Sequence, residues 1–326
     1  MIVDCHMHSW IYPDHFNREV MLQNLPERRR HESEEWYKKV WDAPLENYLK
    51  EAEEAGVDKV ILNAIRFQYT LGVVTPNDWL AEQAKRYPDK MAWACGVNPT
   101  EPNAADEVER CVTELGAIAI GELGSCYEFY YINDIRNFKV YEKAIELDVP
   151  ILHHCGWSPS GTPQGLIKYG DLVNLDEVAV RYPELKFVIC HMGSEQYKTA
   201  VHLMCKHRNV YGDISALARH ADWARSMTPK YLPFAHFPYY SYLEPLLYYF
   251  SRTSAIGGTD KIIWGSDWVG GDGTCVKSEL DAVSKVNPEL KKLGLTEIPE
   301  QSLHNILHEN CIKLFKFQPI TARMHS

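Results

Sequence analysis

The sequence lacks the features that would place the chain in a membrane, on nucleic acid or outside the cell. No run approaches the roughly 18 to 20 apolar residues that a membrane-spanning helix needs. Acidic residues outnumber basic ones by 44 to 34, so the net charge of −10 offers no basic face to nucleic acid or to an anionic membrane. Met1 is followed at once by the apolar segment Ile2-Val3-Asp4, which is typical of a first strand, so we expect no secretory leader. We therefore expect a cytoplasmic protein with no nucleic-acid or membrane partner.

The nine cysteines are scattered, and no two have the C-x-x-C spacing of a zinc knuckle or a redox pair. An odd number of cysteines in a chain without a leader predicts free thiols in a reducing compartment. Several lie within apolar runs, where cysteine packs as a small hydrophobic residue. The sequence has no internal repeat and no low-complexity linker, which favours a single domain over residues 1–326.

What the sequence does contain is a series of eight short apolar runs, each followed by a longer amphipathic stretch. Near-continuous apolar strands that alternate with helices are typical of parallel strands covered on both faces. Eight such units in about 270 residues fit a closed (β/α)8 barrel, the TIM barrel of the α/β class. The predicted strands 1 to 8 cover residues 2–5, 59–63, 91–97, 117–121, 149–153, 186–190, 209–212 and 261–265.

Two stretches are longer than barrel connections need to be. Residues 10–44, after strand 1, and residues 215–245, after strand 7, are rich in aromatic side chains. Long loops on the C-terminal side of barrel strands form lids or substrate walls. Exposed aromatic residues also mark subunit interfaces, so a lid, an interface or both remain open for each insertion. The interface alternative predicts a homo-oligomer, most simply a dimer.

Predicted strand 1 leads into His6-Met7-His8. Histidines at i and i+2 of an extended segment point the same way, so both imidazoles can reach one ion. Alone, this pair is a moderate signal, but the C-terminal ends of parallel barrel strands converge on one mouth. Imidazole and carboxylate ligands together favour Zn²⁺, Fe²⁺ or Mn²⁺ over Ca²⁺ or Mg²⁺. A divalent-metal site is therefore predicted from strand 1 and from three other strand ends, His153-His154, Cys190-His191 and Gly265-Ser266-Asp267.

These segments resemble the amidohydrolase superfamily, and within it the branch that includes aminocarboxymuconate-semialdehyde decarboxylase and several lactonases. The resemblance extends to the closing helix, where Glu309-Asn310 and Leu314-Phe315 match the family's terminal pattern. It implies that His6, His8, the strand-5 histidine and Asp267 are metal ligands. His191 would then hold a second metal, or act as a base and polarising group beside the first.

Strand 5 offers two histidines, His153 and His154, which the alternation of a strand places on opposite faces. Members of the family usually read Pro-x-x-x-His ahead of a glycine-containing loop, and Pro150 followed by His154 has that spacing. The resemblance therefore implies that His154 is the ligand. His153 would be a hydrogen-bonded core residue that faces the helical layer.

Strand 4 leads into Gly121-Glu122-Leu123-Gly124 and departs from the decarboxylase pattern. A carboxylate at the end of an otherwise apolar strand is costly unless it is paired or bound to a metal. The segment is similar to the Gly-Glu-Ile-Gly of TatD-like hydrolases, in which the glutamate bridges two metals. An ion pair between Glu122 and a nearby Arg or Lys is the alternative. The resemblance implies a bridge between two ions, one held by His6, His8 and Asp267 and the other by His154 and His191.

The metal points to the reaction. A bound divalent ion lowers the pKa of water from 15.7 to about 7, which predicts a hydrolase that uses metal-activated water on a lactone, amide or related bond. Asp267 would accept the proton and return it to the leaving group. The alternative is a nonoxidative decarboxylase or hydratase of a carboxylated aromatic or muconate-like compound, with His191 free to protonate a ring carbon. We expect one or two ions, zinc first, with manganese and iron as alternatives.

The substrate is specified less sharply. Tyr127, Trp157 and Trp268 follow strands 4, 5 and 8 and predict a flat or aromatic substrate, with ordinary packing as the alternative for each. Arg66 after strand 2 and Arg219 after strand 7 are candidates to hold a substrate carboxylate by paired hydrogen bonds. Surface ion pairs are the alternative for both arginines.

Overall fold

The structure is a computed structural model. It describes residues 1–25, 27–156, 165–217, 240–253, 260–270 and 276–317. Two of the predicted substrate residues, Trp157 and Arg219, lie outside the described residues, as does most of the insertion at 215–245.

One eight-stranded parallel sheet runs through the described chain, and its strands are neighbours in the order in which they follow one another in the sequence. Backbone hydrogen bonds close it between the first and last strands, from Cys5 N to Trp264 O (3.1 Å) and from Asp267 N to His6 O (2.7 Å). The predicted TIM barrel is thus confirmed. The barrel strands are β1 (Val3–Met7), β2 (Lys59–Asn63), β5 (Met91–Cys95), β6 (Ala119–Gly124), β7 (Ile151–His154), β8 (Phe187–Cys190), β9 (Val210–Asp213) and β10 (Ile262–Ile263).

Helices surround the barrel, and a short antiparallel hairpin, β3 (Arg66–Phe67) and β4 (Val73–Val74), follows β2. Among the described residues, no helix combines the length and the apolar composition that crossing a membrane would require. The helices are α1 (Arg18–Asn24), α2 (Glu34–Trp41), α3 (Leu45–Ala55), α4 (Asn77–Arg86), α5 (Ala104–Thr113), α6 (Ser125–Glu128), α7 (Phe138–Glu146), α8 (Val173–Arg181), α9 (Tyr197–Lys206), α10 (Tyr240–Thr253), α11 (Val276–Ser284), α12 (Val286–Lys292), α13 (Glu300–His304) and α14 (Asn310–Phe315).

Several strands run further toward the barrel mouth than their apolar runs predict. The ladder of β1 continues to Met7, that of β6 to Gly124 and that of β7 to His154. A parallel neighbour on each side keeps supplying backbone hydrogen-bond partners, so pairing continues after the apolar run has ended. His6, Glu122 and His154 therefore lie within strands, on the rigid part of the fold.

The strands are buried on both faces. Small side chains such as Val3, Ala92 and Ala119 belong to one core cluster, and a second, larger cluster joins the strands to the helices. All eight cysteines within the described ranges are free, and seven of them are buried. This burial agrees with their predicted role as small hydrophobic residues.

The insertion at 10–44 has a small core of its own. Tyr12, Met21 and Tyr37 are buried together, and further aromatic side chains pack on them. The insertion contacts the hairpin after β2, where Val74 N donates to His15 O at 2.9 Å. Its aromatic residues are thus largely used in packing within the chain, and its role as a lid or an interface stays a prediction.

Candidate metal centre

Six side chains that the sequence singled out as ligands converge at the C-terminal ends of the barrel strands. The first half-site consists of three residues: His6 lies in β1, His8 follows β1, and Asp267 follows β10. The two Nε2 atoms lie 3.0 Å apart, and Asp267 Oδ1 lies 3.4 Å from His8 Nε2 and 3.8 Å from His6 Nε2. Both histidines are essentially inaccessible to solvent, at 0% and 1% exposure.

The second half-site consists of His154 on β7 and His191 after β8. Glu122 on β6 lies between the half-sites and turns one carboxylate oxygen toward each. Its Oε1 lies 3.1 Å from His154 Nδ1 and 3.3 Å from His191 Nε2. Its Oε2 lies 3.4 Å from His8 Nε2 and 3.6 Å from His6 Nε2. A carboxylate that bridges two metal ions needs this arrangement, in which each oxygen faces a different pair of imidazoles.

The hydrogen bonds of the first half-site show that its residues fit a cation. His8 Nδ1 lies 3.0 Å from Asn63 O, an acceptor, so this nitrogen carries the proton. His6 Nδ1 likewise donates to Asp213 Oδ2 at 2.9 Å. In the neutral imidazoles both Nε2 atoms are therefore acceptors, yet they face one another and two carboxylates. A metal ion satisfies all of these lone pairs at once.

The second half-site has the same character at His191. Its Nδ1 donates to Ser215, with Oγ at 2.8 Å and the carbonyl oxygen at 3.2 Å. Its Nε2 is then an acceptor that faces Glu122 Oε1, again two lone pairs directed at one point. His154 differs, because its Nδ1 faces Glu122 while its buried Nε2 has no hydrogen-bond partner among the described residues. The donor set fits a divalent ion in both half-sites.

The charges of the centre support one another. Burial raises the pKa of Glu122, but His6 and the hydrogen bonds from His154 and His191 outweigh it and hold the pKa well below its usual value. Burial lowers the pKa of His6, and the carboxylates of Asp213 and Glu122 reverse this effect and raise it. The Glu122 carboxylate is therefore ionised, which is the state in which a carboxylate binds metal.

Sequence reasoning missed Asp213 and Ser215, which orient the histidines from behind. Asp213 ends β9 and is completely buried; burial raises its pKa, but His6 lowers it to about 2. Its second oxygen, Oδ1, accepts from the backbone N–H groups of His191 and Ser215, both at 3.0 Å. One carboxylate thus positions a histidine of each half-site. The signal that could have found it is an acidic residue at the end of an apolar strand, the same signal that identified Glu122.

Asp4 is a second residue that the sequence left without a role. Its Oδ1 accepts from His6 N (3.1 Å) and Ser266 N (2.9 Å). Its Oδ2 accepts from Ser266 Oγ (2.6 Å) and Tyr48 Oη (2.9 Å). Burial raises the pKa of Asp4 despite these donors. Asp4 therefore ties β1 to the turn that carries Asp267.

Two glycines allow the strands to approach closely enough to form the centre. A Cβ at Gly265 would lie 2.8 Å from His6 N and 2.5 Å from His6 Cβ. Gly121 has φ +147°, and a Cβ there would lie 2.7 Å from the backbone oxygen of Leu152. Any larger residue at either position would push apart the strands that carry the ligands.

Tyr127, which the sequence singled out as a substrate candidate, lies beside the second half-site, and its contact with a substrate stays a prediction. Its ring stacks on Phe67 with 4.3 Å between centroids and meets the edge of His154 at 4.9 Å. Both aromatic side chains are 3% exposed. Phe67 and Tyr127 form what we call the aromatic wall of the centre. Phe67 was not singled out from the sequence, because it lies in the hairpin after β2 and not at a barrel strand end.

The two other described substrate candidates have different surroundings. Nη2 of Arg66 pairs with both carboxylate oxygens of Glu101, at 2.9 and 3.0 Å. Arg66 therefore forms an ion pair within the chain, which was the alternative to binding a substrate carboxylate. Trp268 is 1% exposed and donates through Nε1 to Glu51 of α3 at 3.1 Å. It packs into the helical layer, where the packing alternative applies. His153 is fully buried and bonds to His154 O at 2.7 Å.

Several solved structures are similar to this chain along its whole length. A manganese complex of 5-carboxyvanillate decarboxylase from Novosphingobium aromaticivorans is 16% identical, with a TM-score of 0.65 over 97% of this chain and 96% of that one. A manganese complex of dihydroxybenzoic acid decarboxylase from Polaromonas is 18% identical, with a TM-score of 0.63 over 97% and 96%. A probable 2-pyrone-4,6-dicarboxylic acid hydrolase from Acinetobacter baumannii is 19% identical, with a TM-score of 0.60 over 97% and 99%.

At these identities the likeness shows the fold, which is the same barrel. No curated protein matches the sequence. The family model described as amidohydrolase matches residues 3–317, which include every candidate ligand. The chain therefore belongs to the amidohydrolase family.

Proposed function

We propose that this protein is a metal-dependent enzyme that removes a carboxylate, without oxidation, from a small aromatic acid. The observation that carries this proposal is the whole-length structural likeness to the 5-carboxyvanillate and dihydroxybenzoic acid decarboxylases. From the sequence alone, hydrolysis stood first and decarboxylation second, and this likeness reverses the order. We further propose that the protein works in the cytoplasm and as a dimer.

The metal would be held by the residues of the two half-sites and by Glu122, which offer four imidazoles and two carboxylates. Such a set suits zinc and manganese alike, and both decarboxylase structures contain manganese. When bound, a divalent ion neutralises and orients the oxygens of an acidic substrate and stabilises the charge that develops on them. The ligands would be His6, His8, Glu122, His154, His191 and Asp267.

The chain's own residues supply the proton. Loss of carbon dioxide from an aromatic acid requires a proton on the ring carbon that bears the carboxylate. We assign Asp267 as the group that delivers it, because its side chain is 13% exposed at the mouth of an otherwise closed centre. The carbon–carbon bond then breaks, its electron pair returns to the ring, and carbon dioxide leaves. Water at the mouth reprotonates Asp267.

His191 has a supporting role in this scheme. Ser215 holds its Nδ1, so its Nε2 remains directed at the centre. Burial lowers the pKa of His191, but Glu122 and Asp267 raise it above its usual value. If a single ion occupies the first half-site, His191 is free to protonate the ring carbon in place of Asp267. The flat aromatic wall of Phe67 and Tyr127 beside His154 suits a planar ring.

Hydrolysis is the second candidate, and Glu122 favours it. A carboxylate that faces one pair of imidazoles with each oxygen is suited to a two-ion centre, which clamps the attacking and leaving oxygens of a hydrolysed bond. The likeness to the 2-pyrone-4,6-dicarboxylic acid hydrolase also supports this reading. Asp267 would then accept the proton of the attacking water and return it to the leaving group.

Carbon dioxide release distinguishes the two candidates. The purified protein, loaded with Zn²⁺ or Mn²⁺, would be incubated with 2,6-dihydroxybenzoate, 5-carboxyvanillate and 2-pyrone-4,6-dicarboxylate. We expect carbon dioxide from an aromatic acid, released about 10²- to 10⁴-fold more slowly when Asp267→Asn replaces the native chain. Opening of the lactone without carbon dioxide from any aromatic acid would refute decarboxylation and support hydrolysis.

A further inference from the structure

A second cluster of metal-ligating side chains lies outside the barrel mouth, near the C-terminal end of the described chain. The imidazole nitrogens of His304 and His308 and a carboxylate oxygen of Glu309 lie within 4.8 Å of one another. The segment packs against the outside of β1 and β10, and Ile306 O accepts from Trp264 N at 3.1 Å. None of the three residues belongs to the centre described above.

The local backbone explains why these three side chains meet. Between α13 and α14 the chain forms a π-helical turn, Asn305–Glu309, in which Asn310 N donates to Asn305 O. A π turn closes its hydrogen bonds one residue later than an α turn. In a π turn, the residues four and five positions further along the chain both lie next to a given residue. His308 and Glu309 therefore both lie beside His304. An ordinary α-helix would bring only His308 there.

The ligand atoms of the cluster are available. His308 Nδ1 is buried and makes no hydrogen bond among the described residues, although Glu309 Oε1 lies 3.1 Å away. The two atoms thus lie at ion-pair distance without the geometry of a hydrogen bond, and both can turn to an ion. The His304 ring stands perpendicular to that of His308, with 5.4 Å between centroids, and is exposed to solvent. An approaching ion meets two imidazoles and one carboxylate.

We propose that His304, His308 and Glu309 form a separate binding site for a transition-metal dication such as Zn²⁺, Ni²⁺ or Cu²⁺. Two imidazoles and a carboxylate suit these ions and do not suit Ca²⁺ or Mg²⁺. Three protein ligands leave a coordination position for water, and the exposure of His304 makes the ion exchangeable. An ion here ties the end of α13 to the π turn that leads into α14 and so stabilises this part of the chain. The site does not depend on the proposed reaction.

Zinc titration of the holoprotein tests the site. Protein without an affinity tag, with its barrel-mouth centre loaded and free metal removed, would be titrated with Zn²⁺ by calorimetry. We expect one additional, weakly held equivalent, which His304→Ala loses. The matched control is His202→Ala, which removes an exposed histidine of α9 and should keep that equivalent. Equal additional zinc in His304→Ala and the native protein would overturn the proposal.

Thermal unfolding gives a second readout. An ion that binds only the folded chain raises its melting temperature. Excess Zn²⁺ should therefore raise the melting temperature of the native protein and of His202→Ala, and should raise it less in His304→Ala and His308→Ala. Catalytic turnover should be the same in all of these proteins. An equal rise in all four would contradict a site at the π turn.

Discussion

The two half-sites of the metal centre hold their histidines in different ways. In the first, both imidazoles are fixed from behind by an acceptor, Asp213 for His6 and Asn63 O for His8. In the second, Ser215 fixes His191, but the Nε2 atom of His154 has no partner among the described residues. A braced histidine keeps its ring orientation and its tautomer when the metal leaves, and an unbraced one does not.

The two half-sites also differ in the solvent exposure of their histidines. The histidines of the first half-site are 0% and 1% exposed, and those of the second are 7% and 5% exposed. The aromatic wall lies against His154, not against the first half-site. We infer that the braced histidines of the first half-site hold their ion more tightly than those of the second, and that the substrate is contacted by the aromatic wall beside His154 and by Asp267. The following predictions test this division, from the largest expected effect to the smallest.

The largest effect is expected at Asp267, which is the most exposed of the three ligands of the first half-site. Asp267→Asn should lower turnover by about 10²- to 10⁴-fold, because the amide cannot carry the proton. Steady-state kinetics and thermal unfolding would be measured together, and the fold should persist. Asp260→Asn, which changes an exposed aspartate, is the control and should retain full turnover. Normal turnover in Asp267→Asn would remove Asp267 from the mechanism.

The two braces should differ in the size of their effect, because Asp213 holds a histidine of each half-site and the Ser215 hydroxyl bonds His191. Asp213→Asn replaces the carboxylate that accepts from His6 Nδ1, and loss of such a partner lowers metal affinity by about 10- to 100-fold. Ser215→Ala removes the hydroxyl that bonds His191 and should weaken one ion by less, because Ser215 O still accepts from the ring. Competition with a chelator measures both. Equal weakening by the two substitutions would contradict this ranking of the braces.

The aromatic wall should respond to crowding. A Cβ at Gly124 would lie 2.3 Å from Cε1 of Phe67, so Gly124→Ala should displace that ring and destabilise the fold by about 1–3 kcal/mol. KM should rise, since Tyr127 and His154 pack behind Phe67. The control is the same substitution in a Phe67→Leu background, where the cost should be smaller. An equal loss of stability in the Phe67→Leu background would show that the clash with the Phe67 ring is not the cause.

The smallest effect is expected from Glu128, which follows Tyr127 in the chain and accepts a hydrogen bond from the backbone of Tyr69. Burial raises its pKa to about 8, although Tyr69 N and Asn98 Nδ2 donate to it, both at 3.2 Å. The folded chain therefore binds a proton that the unfolded chain releases near pH 4.5, the ordinary pKa of a glutamate. The stability from this group is present below that pH and is lost as the pH rises toward about 8.

Glu128→Gln should remove this part of the pH dependence. Chemical denaturation between pH 5 and about 9 would give the free energy of unfolding, and the variant should gain relative to the native chain as the pH rises. Glu109→Gln, an exposed glutamate on α5, is the control and should leave the slope unchanged. Parallel curves for the native chain and Glu128→Gln would show that Glu128 is ionised throughout.

The sequence predicted the barrel and the candidate ligands because both depend on local signals. Apolar runs give the strands, and strand ends give the convergence of His6, His154 and Asp267 at one mouth. The strand ends were placed too early at Glu122 and His154, because ladder pairing depends on neighbouring strands and not on the apolar run itself. Strand alternation placed His153 and His154 on opposite faces, and the family spacing from Pro150 implied that His154 is the ligand; His153 is buried and hydrogen-bonded, and the ligand role of His154 stays a prediction.

An acidic strand end marks Asp213 as a candidate, but the contacts through which it braces the centre could not be predicted in the same way. Asp213 and His6 are 207 positions apart, and only the closed barrel brings them together. Nothing in the local sequence distinguishes Arg66, which Glu101 neutralises, from an arginine free to bind a substrate. Trp268 follows a strand end, yet its indole turns to α3 because Glu51 offers an acceptor there. Each depends on tertiary pairing.

The central claim is that Glu122 joins two metal half-sites. Metal content per chain tests it most directly, measured by elemental analysis after gel filtration in metal-free buffer. The native protein should retain two equivalents, and Glu122→Ala should retain one or none while its fold persists. One equivalent in the native protein, unchanged in Glu122→Ala, would contradict the bridge.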